Sequence, residues 1–530
     1  MYKSLKLTSI ALLVAGSLVA CSSSDDDDGN NTDNSGAGNG GSTGGSGSFE
    51  QPEIYTGFPV TQAGATGESS TSYSGQMARH VLREQAKATL KAPTASGYAV
   101  IEEVNRYLAN PDNVVDELPI IAPASAEGFT FLETVNNELG TERNLTGKLF
   151  DPGEDGDGDP ISGVDPANAK VTMGWPGDKT AEELLKLWVD YFGAISAGSV
   201  PVDDATTPHV DTAHGYDYSQ LVPKFLMGAV FYNQSVDKYL DENMSADTKP
   251  NNEPYKPGAN FTGKEHSWDE GFGYFGAAAN YGKLTAQQNY DVSKIKGADA
   301  AANADWNNDG KVSLYTEYTS GAARYAASFD KDGKSTYGKT IMDAFLEGRT
   351  IIANATDESG VARALTEEER NQLLALAATI HENWEHVFAE AVFKYAGESY
   401  EEIEKIQNGT GSNADYYGAW SELKGFVLAL QFGGPNSTMT KALLDEIDGL
   451  VGYGPVLPDG KQVNGLELVA GSGGAPDREV YTFSEGNSLD DYKAKMLQVQ
   501  TRMDEIYTLK AKQHDNREGA AAAADAEQQP

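Results

Sequence analysis

Residues 381 to 395, HENWEHVFAEAVFKY, set two histidines and three acids among aromatic and aliphatic residues. His381 and Glu385 are four apart, one turn of a helix, so their side chains can meet and either hold one metal ion or exchange a proton. With Trp384 at the centre of a helical wheel, Ala377, Ile380, Phe388, Ala391 and Tyr395 fall within roughly 40° of it and form the apolar stripe. His381 and Glu385 lie at roughly 60° and 100°, on the margin of that stripe, while His386 and Glu390 fall on the far side and are expected to be solvated. Two ligands do not make a metal site, so a second source is required. The best one is GKEHSWDEGFGYFGAAANY (263 to 281), where a helix through Trp268 places His266, Asp269 and Glu270 on adjoining positions of one face. An imidazole with two carboxylates suits a hard or borderline cation, a divalent metal or ferric iron. The competing expectation is structural. A histidine at a core margin bonded to a glutamate fixes helix packing, and acids beside a tryptophan cap helices or pair with arginine.

Oxygen ligands form a second group. DWNNDGKVSLYTE (305 to 317) carries Asp305, Asn307, Asp309 and Gly310 where a calcium-binding EF-hand loop has its first, third, fifth and sixth residues. Lys311 and Ser313 stand seventh and ninth, but the twelfth residue is Thr316, and Glu317 comes one place late. A calcium loop with altered closure and an Asn/Asp/Gly-rich turn are the two readings. EDGDGDP (154 to 160) repeats the alternation at Asp155, Asp157 and Asp159 until Pro160 breaks it, and FDKDGK (329 to 334) is shorter still; both read more simply as turns. HGYDYSQL (214 to 221) offers His214, Asp217 and Tyr218 before a strong helix, with Asp217 or Ser219 as its cap.

The elements that must position these groups are helices. TAEELLKLWVDYFGAI (180 to 195), 220 to 240, 365 to 395, 416 to 432 and 488 to 509 all repeat apolar residues at helical spacing, and strand-like alternation is scarce. The expected fold is all-α, a multi-helical, bundle-like globular domain with long Gly/Asn/Asp-rich loops, its length leaving room for two sub-lobes. Loops 148 to 168 and 241 to 263 exceed what a plain bundle needs, and long loops are often functional or ion-stabilised.

The ends place the chain. MYKSLKLTSIALLVAGSLVAC has the charged start, short apolar run and small-residue finish of a secretory signal, and LVAC at 18 to 21 resembles the lipobox of bacterial lipoproteins. Residues 1–20 are then a signal peptide and Cys21 an acylated anchor to the membrane, with Ser22 in the next position resembling outer-membrane retention. Residues 21–50 form a Gly/Ser-rich acidic tether, 51–512 the helical body and 513–530 a disordered tail. Cys21 is the single cysteine, so no intramolecular disulfide forms. With 79 acids against 40 bases and a net charge of −39, nucleic acid is a poor partner.

Taken together, HGYDYSQLVPKFLMGAVFYNQ, EHSWDEGFGYFGAAANY and WEHVFAEAVFKY make the chain resemble the bacterial lipoproteins grouped as domain of unknown function 4856, over roughly residues 54 to 510. The resemblance implies a helical secreted domain. It also implies association with imelysin-like proteins and TonB-dependent receptors, and hence metal or iron uptake at the cell envelope. Imelysin-like proteins carry GxHxxE, whereas Gly263, His266 and Asp269 give GxxHxxD, so membership of that group is not implied. The leading expectation is an envelope lipoprotein that binds a metal, a metal chelate or a receptor partner. A metal-dependent hydrolase with Glu270 and Glu385 as acid and base is the first alternative, and a non-catalytic, calcium-stabilised interaction module the second. Catalysis lacks a metalloprotease or dithiol signature: there is no HExxH and no CxxC.

Overall fold

Four helices begin at a threonine whose side chain accepts the N–H of a Glu or Gln three residues on, while that residue reaches back to the threonine N–H. In the computed structural model, which describes residues 48–519 apart from 122–128, 154–156, 201–208, 247, 296 and 471–477, these caps open α3, α5, α6 and α10 of the following series. The helices are α1 (Ser74–Lys91), α2 (Ala99–Leu108), α3 (Ala181–Ser196), α4 (Tyr218–Leu226), α5 (Gly263–Phe275), α6 (Ala286–Ser293), α7 (Ala298–Ala304), α8 (Gly321–Asp330), α9 (Tyr337–Asn354), α10 (Glu367–Gln407), α11 (Asn413–Ala429), α12 (Lys441–Val451) and α13 (Leu489–Tyr507). Asp217 caps α4 through the N–H of Ser219, 2.9 Å away, as the sequence allows. From Met227 to Tyr239, α4 continues as a π-helix, a widened turn that is rare and concentrates at functional sites. Short 3-10 turns and two small antiparallel sheets complete the described elements: β1 (Val210–Asp211) with β2 (Tyr216–Asp217), and β3 (Gln462–Val469) with β4 (Arg478–Ser484), the latter paired from Gln462↔Ser484 to Val469↔Arg478 with a register shift between Val463 and Gly465. The fold is therefore mostly helical, as expected.

At 41 residues, α10 spans about 60 Å and is the mast of the fold, packed by α8, α9, α11 and α13. Its predicted stripe, Ala377, Ile380, Trp384, Phe388, Ala391 and Tyr395, is buried throughout. The apolar core is one contiguous cluster from Tyr55 to Ala511, with a satellite of Val292, Ala304 and Val312 beside the 305–317 loop. No helix among the described residues is long and apolar enough to cross a membrane. The signal segment, Cys21 and most of the tether lie outside the described residues.

Two expectations are corrected. Glu390, placed on the solvated side of α10, is fully buried. Its Oε1 accepts the N–H groups of Lys510 (2.7 Å) and Ala511 (2.6 Å) and the Tyr337 hydroxyl (3.1 Å), and its Oε2 accepts the N–H of Lys512 (2.9 Å). The chain after α13 thus folds back onto α10 and covers a face that a one-sided wheel leaves in water. His386, on that same side, is half-buried and its ring hydrogen-bonds with the carbonyls of Glu382 and Tyr507. The body likewise continues past residue 512. Gln513 donates to the Ser328 carbonyl, and Gln500 donates to the His514 carbonyl at 2.7 Å.

A buried ion cluster ties the N-terminal segment, α5 and α9. Arg349 on α9 is fully buried; it donates through Nε to Asp269 Oδ1 (2.9 Å), through Nη1 to Glu265 Oε1 (3.0 Å) and through Nη2 to Ser70 Oγ (2.7 Å). Removing one member of such a cluster leaves uncompensated charge in a dry interior. Arg349→Ala is expected to lower the unfolding free energy by about 3–5 kcal/mol in denaturant titrations. A change within about 0.5 kcal/mol of zero, the range of ordinary surface substitutions, contradicts this role.

Candidate metal centre

Helix α5 buries all three of its predicted ligands, but each is engaged in packing. His266 lies between the rings of Tyr255 (4.1 Å between centroids) and Phe261 (4.9 Å), with Nε2 3.7 Å from Glu270 Oε2. Glu270 accepts from Gln76 Nε2 at 2.8 Å. Asp269 is held by Arg349, the Tyr55 hydroxyl (3.0 Å) and the Ser72 N–H (3.0 Å), and burial still pushes its carboxyl up to about 6 against the pull of Arg349. On α10, Glu385 accepts the N–H groups of Thr438 (3.0 Å) and Met439 (2.8 Å) and the Tyr507 hydroxyl (2.7 Å), which anchors the loop after α11 and the end of α13. His381 sits 4.0 Å from Glu385 Oε2 and edge-on to Tyr232; its Nε2 is buried and has no hydrogen-bond partner. Among the described residues these five side chains do not bring three ligand atoms to one point.

The 305–317 loop has the backbone its spacing implies. Asn308 and Gly310 take positive φ (59° and 83°), and the side chains of Asp305, Asn307 and Asp309 turn inward to accept N–H groups of Asp309, Gly310 and Lys311. Glu317, one place late, still closes it. Its Oε1 accepts the Trp306 N–H (3.1 Å) and its Oε2 the Ser313 N–H (2.8 Å). Burial first, then the charges of Asp305 and Asp309, raise Glu317 to about 7. Ser313 is directed elsewhere, its hydroxyl donating to Glu133 at 2.8 Å. Lys311 is exposed; no side-chain bond of the loop engages it beyond its N–H donation to Asp309.

One acidic group does converge, and its parts come from segments read as minor. Asp159, Asp237 and Glu242 each place a carboxylate oxygen within 4.8 Å of the others; among the described residues theirs is the one such trio of potential metal ligands. Asp237 ends the π-helix, buried, and its Oδ2 accepts the Asp159 N–H at 2.5 Å. Gly158, at φ 103°, leans against the Asn233 side chain so closely that a Cβ there would meet its oxygen, and so brings Asp159 over Asp237. Asp241 lies alongside, accepting from Asn436 Nδ2 at 2.8 Å, and Lys238 is occupied by an ion pair with Asp157. Burial, followed by the charges of Asp159, Glu242 and Asp241, pushes Asp237 up to about 7, and both Asp241 and Glu242 are raised, chiefly by burial. His381 and Asp241 act on one another electrostatically, so the unpartnered imidazole belongs to this neighbourhood rather than to α5. Three carboxylates, with the nearby Lys238 paired to Asp157, form a hard, oxygen-rich donor set. The local signals were the EDGDGDP alternation and the acids at 237, 241 and 242 on one helix end; Asp155 lies outside the described residues.

An acid whose carboxyl is raised by folding holds its proton more tightly in the native state. Its favourable contribution is complete below the unfolded value near 4 and is lost as pH rises towards 7. In chelator, the wild type should therefore lose up to about 4 kcal/mol relative to Asp237→Asn between pH 4 and pH 8. Parallel stability curves for the two proteins across that range contradict the assignment.

No curated protein and no solved structure matches the chain. A family model does, over residues 193–451, a stretch that begins within α3 and ends at the last residue of α12, and that contains the π-helix with Asp237, Glu242, α5 and the His381 region of α10. The family whose model matches this part of the chain is described as Domain of unknown function (DUF4856), the one its motifs resemble.

Proposed function

We propose that the chain is a cell-envelope lipoprotein, anchored through Cys21, whose helical body binds a hard divalent cation, calcium foremost, at Asp159, Asp237 and Glu242. The observation that carries this reading is the approach of three carboxylates within 4.8 Å around the buried Asp237. Carboxylate oxygens favour calcium, magnesium or manganese over the softer metals that imidazole and thiolate select. The loop at 305–317 supports a second, weaker calcium position, because its acids already point inward and Glu317 closes on them. Support for binding over catalysis comes from the acid/base pair expected of a hydrolase: Glu270 accepts from Gln76, and Glu385 accepts from backbone N–H groups. A role in metal acquisition, with an imelysin-like protein or TonB-dependent receptor as partner, fits an envelope cation binder and rests on the family resemblance.

Calorimetric titration of the EDTA-stripped protein tests this. Calcium should bind and raise the melting temperature, Asp237→Asn should weaken the tighter site at least about tenfold, equivalent to about 1.4 kcal/mol, and Glu317→Gln should remove only the weaker one. His381→Ala should leave calcium affinity unchanged. Absence of calcium binding, or iron, zinc or copper binding lost in His266→Ala or His381→Ala, overturns the reading in favour of a histidine-based site.

A further inference from the structure

Asn233 lies on the π-helix about one turn before Asp237, on the same face, and is fully buried. Its Nδ2 donates to the Asp157 carbonyl at 3.2 Å, and because a carbonyl oxygen only accepts, this bond fixes which end of the carboxamide is oxygen. Oδ1 is turned towards Gly158, where a Cβ would stand 2.0 Å from it. Among the described residues Oδ1 has no hydrogen-bond partner, and a buried carbonyl oxygen left without one is unfavourable. The next residue after Gly158 is Asp159, whose N–H reaches Asp237 Oδ2 at 2.5 Å and whose carboxylate belongs to the acidic trio. The unpartnered oxygen therefore lies between the turn that carries Asp159 and the helix face that carries Asp237.

The walls of the trio favour one kind of cation. Asp237 Oδ1 is covered by Gly434 of the loop after α11, where a Cβ would lie 2.2 Å away, and Asn436 of the same loop donates to Asp241 Oδ2 at 2.8 Å. Asp159 and Glu242 are exposed, whereas Asp237 and Asn233 are 3% and 0% exposed. The inner half of the site is thus protein, and the outer half is open to water. Magnesium dehydrates reluctantly and keeps several of its waters, whereas calcium takes about six to eight oxygens in flexible geometry and mixes carboxylates with neutral carbonyls.

We propose that Asn233 Oδ1 is a fourth protein oxygen of the cation site at Asp159, Asp237 and Glu242, and that this neutral, buried ligand makes the site select calcium over magnesium. The assignment rests on the trio being the cation site. A carboxamide oxygen adds a bond to the ion without adding to the repulsion among the three acids, and the ion supplies the partner that Oδ1 lacks.

Calcium and magnesium titrations test this, together with terbium luminescence lifetimes in light and heavy water, which count the waters on the bound ion. All use the EDTA-stripped whole protein carrying Glu317→Gln, so that the 305–317 loop does not contribute. Adding Asn233→Leu is expected to weaken calcium at least about tenfold and magnesium by less, and to leave terbium with about one more water in place of Oδ1. Gln234, the neighbouring buried carboxamide, donates instead to the Lys148 carbonyl at 3.3 Å, so Gln234→Met should change neither quantity. An unchanged water count in Asn233→Leu, whatever its affinity, or the same change in Gln234→Met, overturns the role of Asn233 and leaves the trio standing. Cation binding that is absent, or that Asp237→Asn leaves intact, overturns the trio and the role of Asn233 with it. If Asn233→Leu does not fold, Asn233→Asp decides: a ligand carboxylate at 233 keeps the parent's water count and gives a larger calcium-induced rise in melting temperature than the parent shows, and a rise no larger overturns the assignment.

Discussion

The Arg349 guanidinium, fully buried between Glu265 and Asp269, states the rule on which the molecule is built. Of the 79 acids in the chain a minority lie inside, and a buried carboxylate is tolerated where donors are brought to it. On α5 the donors are Arg349, Tyr55 and the Ser72 N–H. On α10 they are peptide N–H groups: Thr438 and Met439 wrap Glu385, and Lys510 to Lys512 wrap Glu390. These contacts determine how the loop after α11 and the chain after α13 lie on the central helix, because a carboxylate left without donors in that interior is strongly unfavourable.

The rule also identifies an exception. At Asp159, Asp237 and Glu242 carboxylates approach one another with Lys238 turned to Asp157, and burial, then the neighbouring acids, raises Asp237. Asp159 and Glu242 are exposed, where a soluble ion can enter, while the compensated clusters on α5 and α10 are buried. The trio also joins residues of the matched 193–451 region to one before it, since Asp159 precedes that region. The N-terminal part of the body is thus continuous with the matched region in its core and in this acidic group.

Helical periodicity was legible in the sequence because the apolar stripe of α10 obeys the wheel residue by residue. Capping was legible too, since Thr180, Thr262, Thr285 and Thr366 each have Glu or Gln three residues on. Glu390 was misread because a wheel assumes one buried face, and α10 is enclosed on several sides by elements that include a polar C-terminal segment. The α5 cluster was legible as chemistry but not as role: the spacing of His266, Asp269 and Glu270 is that of a ligand set, and the residue that decides otherwise, Arg349, lies 80 positions from Asp269. EDGDGDP was undervalued for the same reason, since the Asp237 carboxylate that receives the Asp159 N–H is 78 positions away. Local pattern gives the donors; only the fold gives their partners.

Anomalous diffraction from crystals grown with manganese, a hard cation with a usable anomalous signal, locates the bound metal directly. A peak bounded by Asp159, Asp237 and Glu242, absent from crystals of Asp237→Asn, is the result expected here. A peak instead beside His266 or between His381 and Glu385, with none at the acidic trio, contradicts the account.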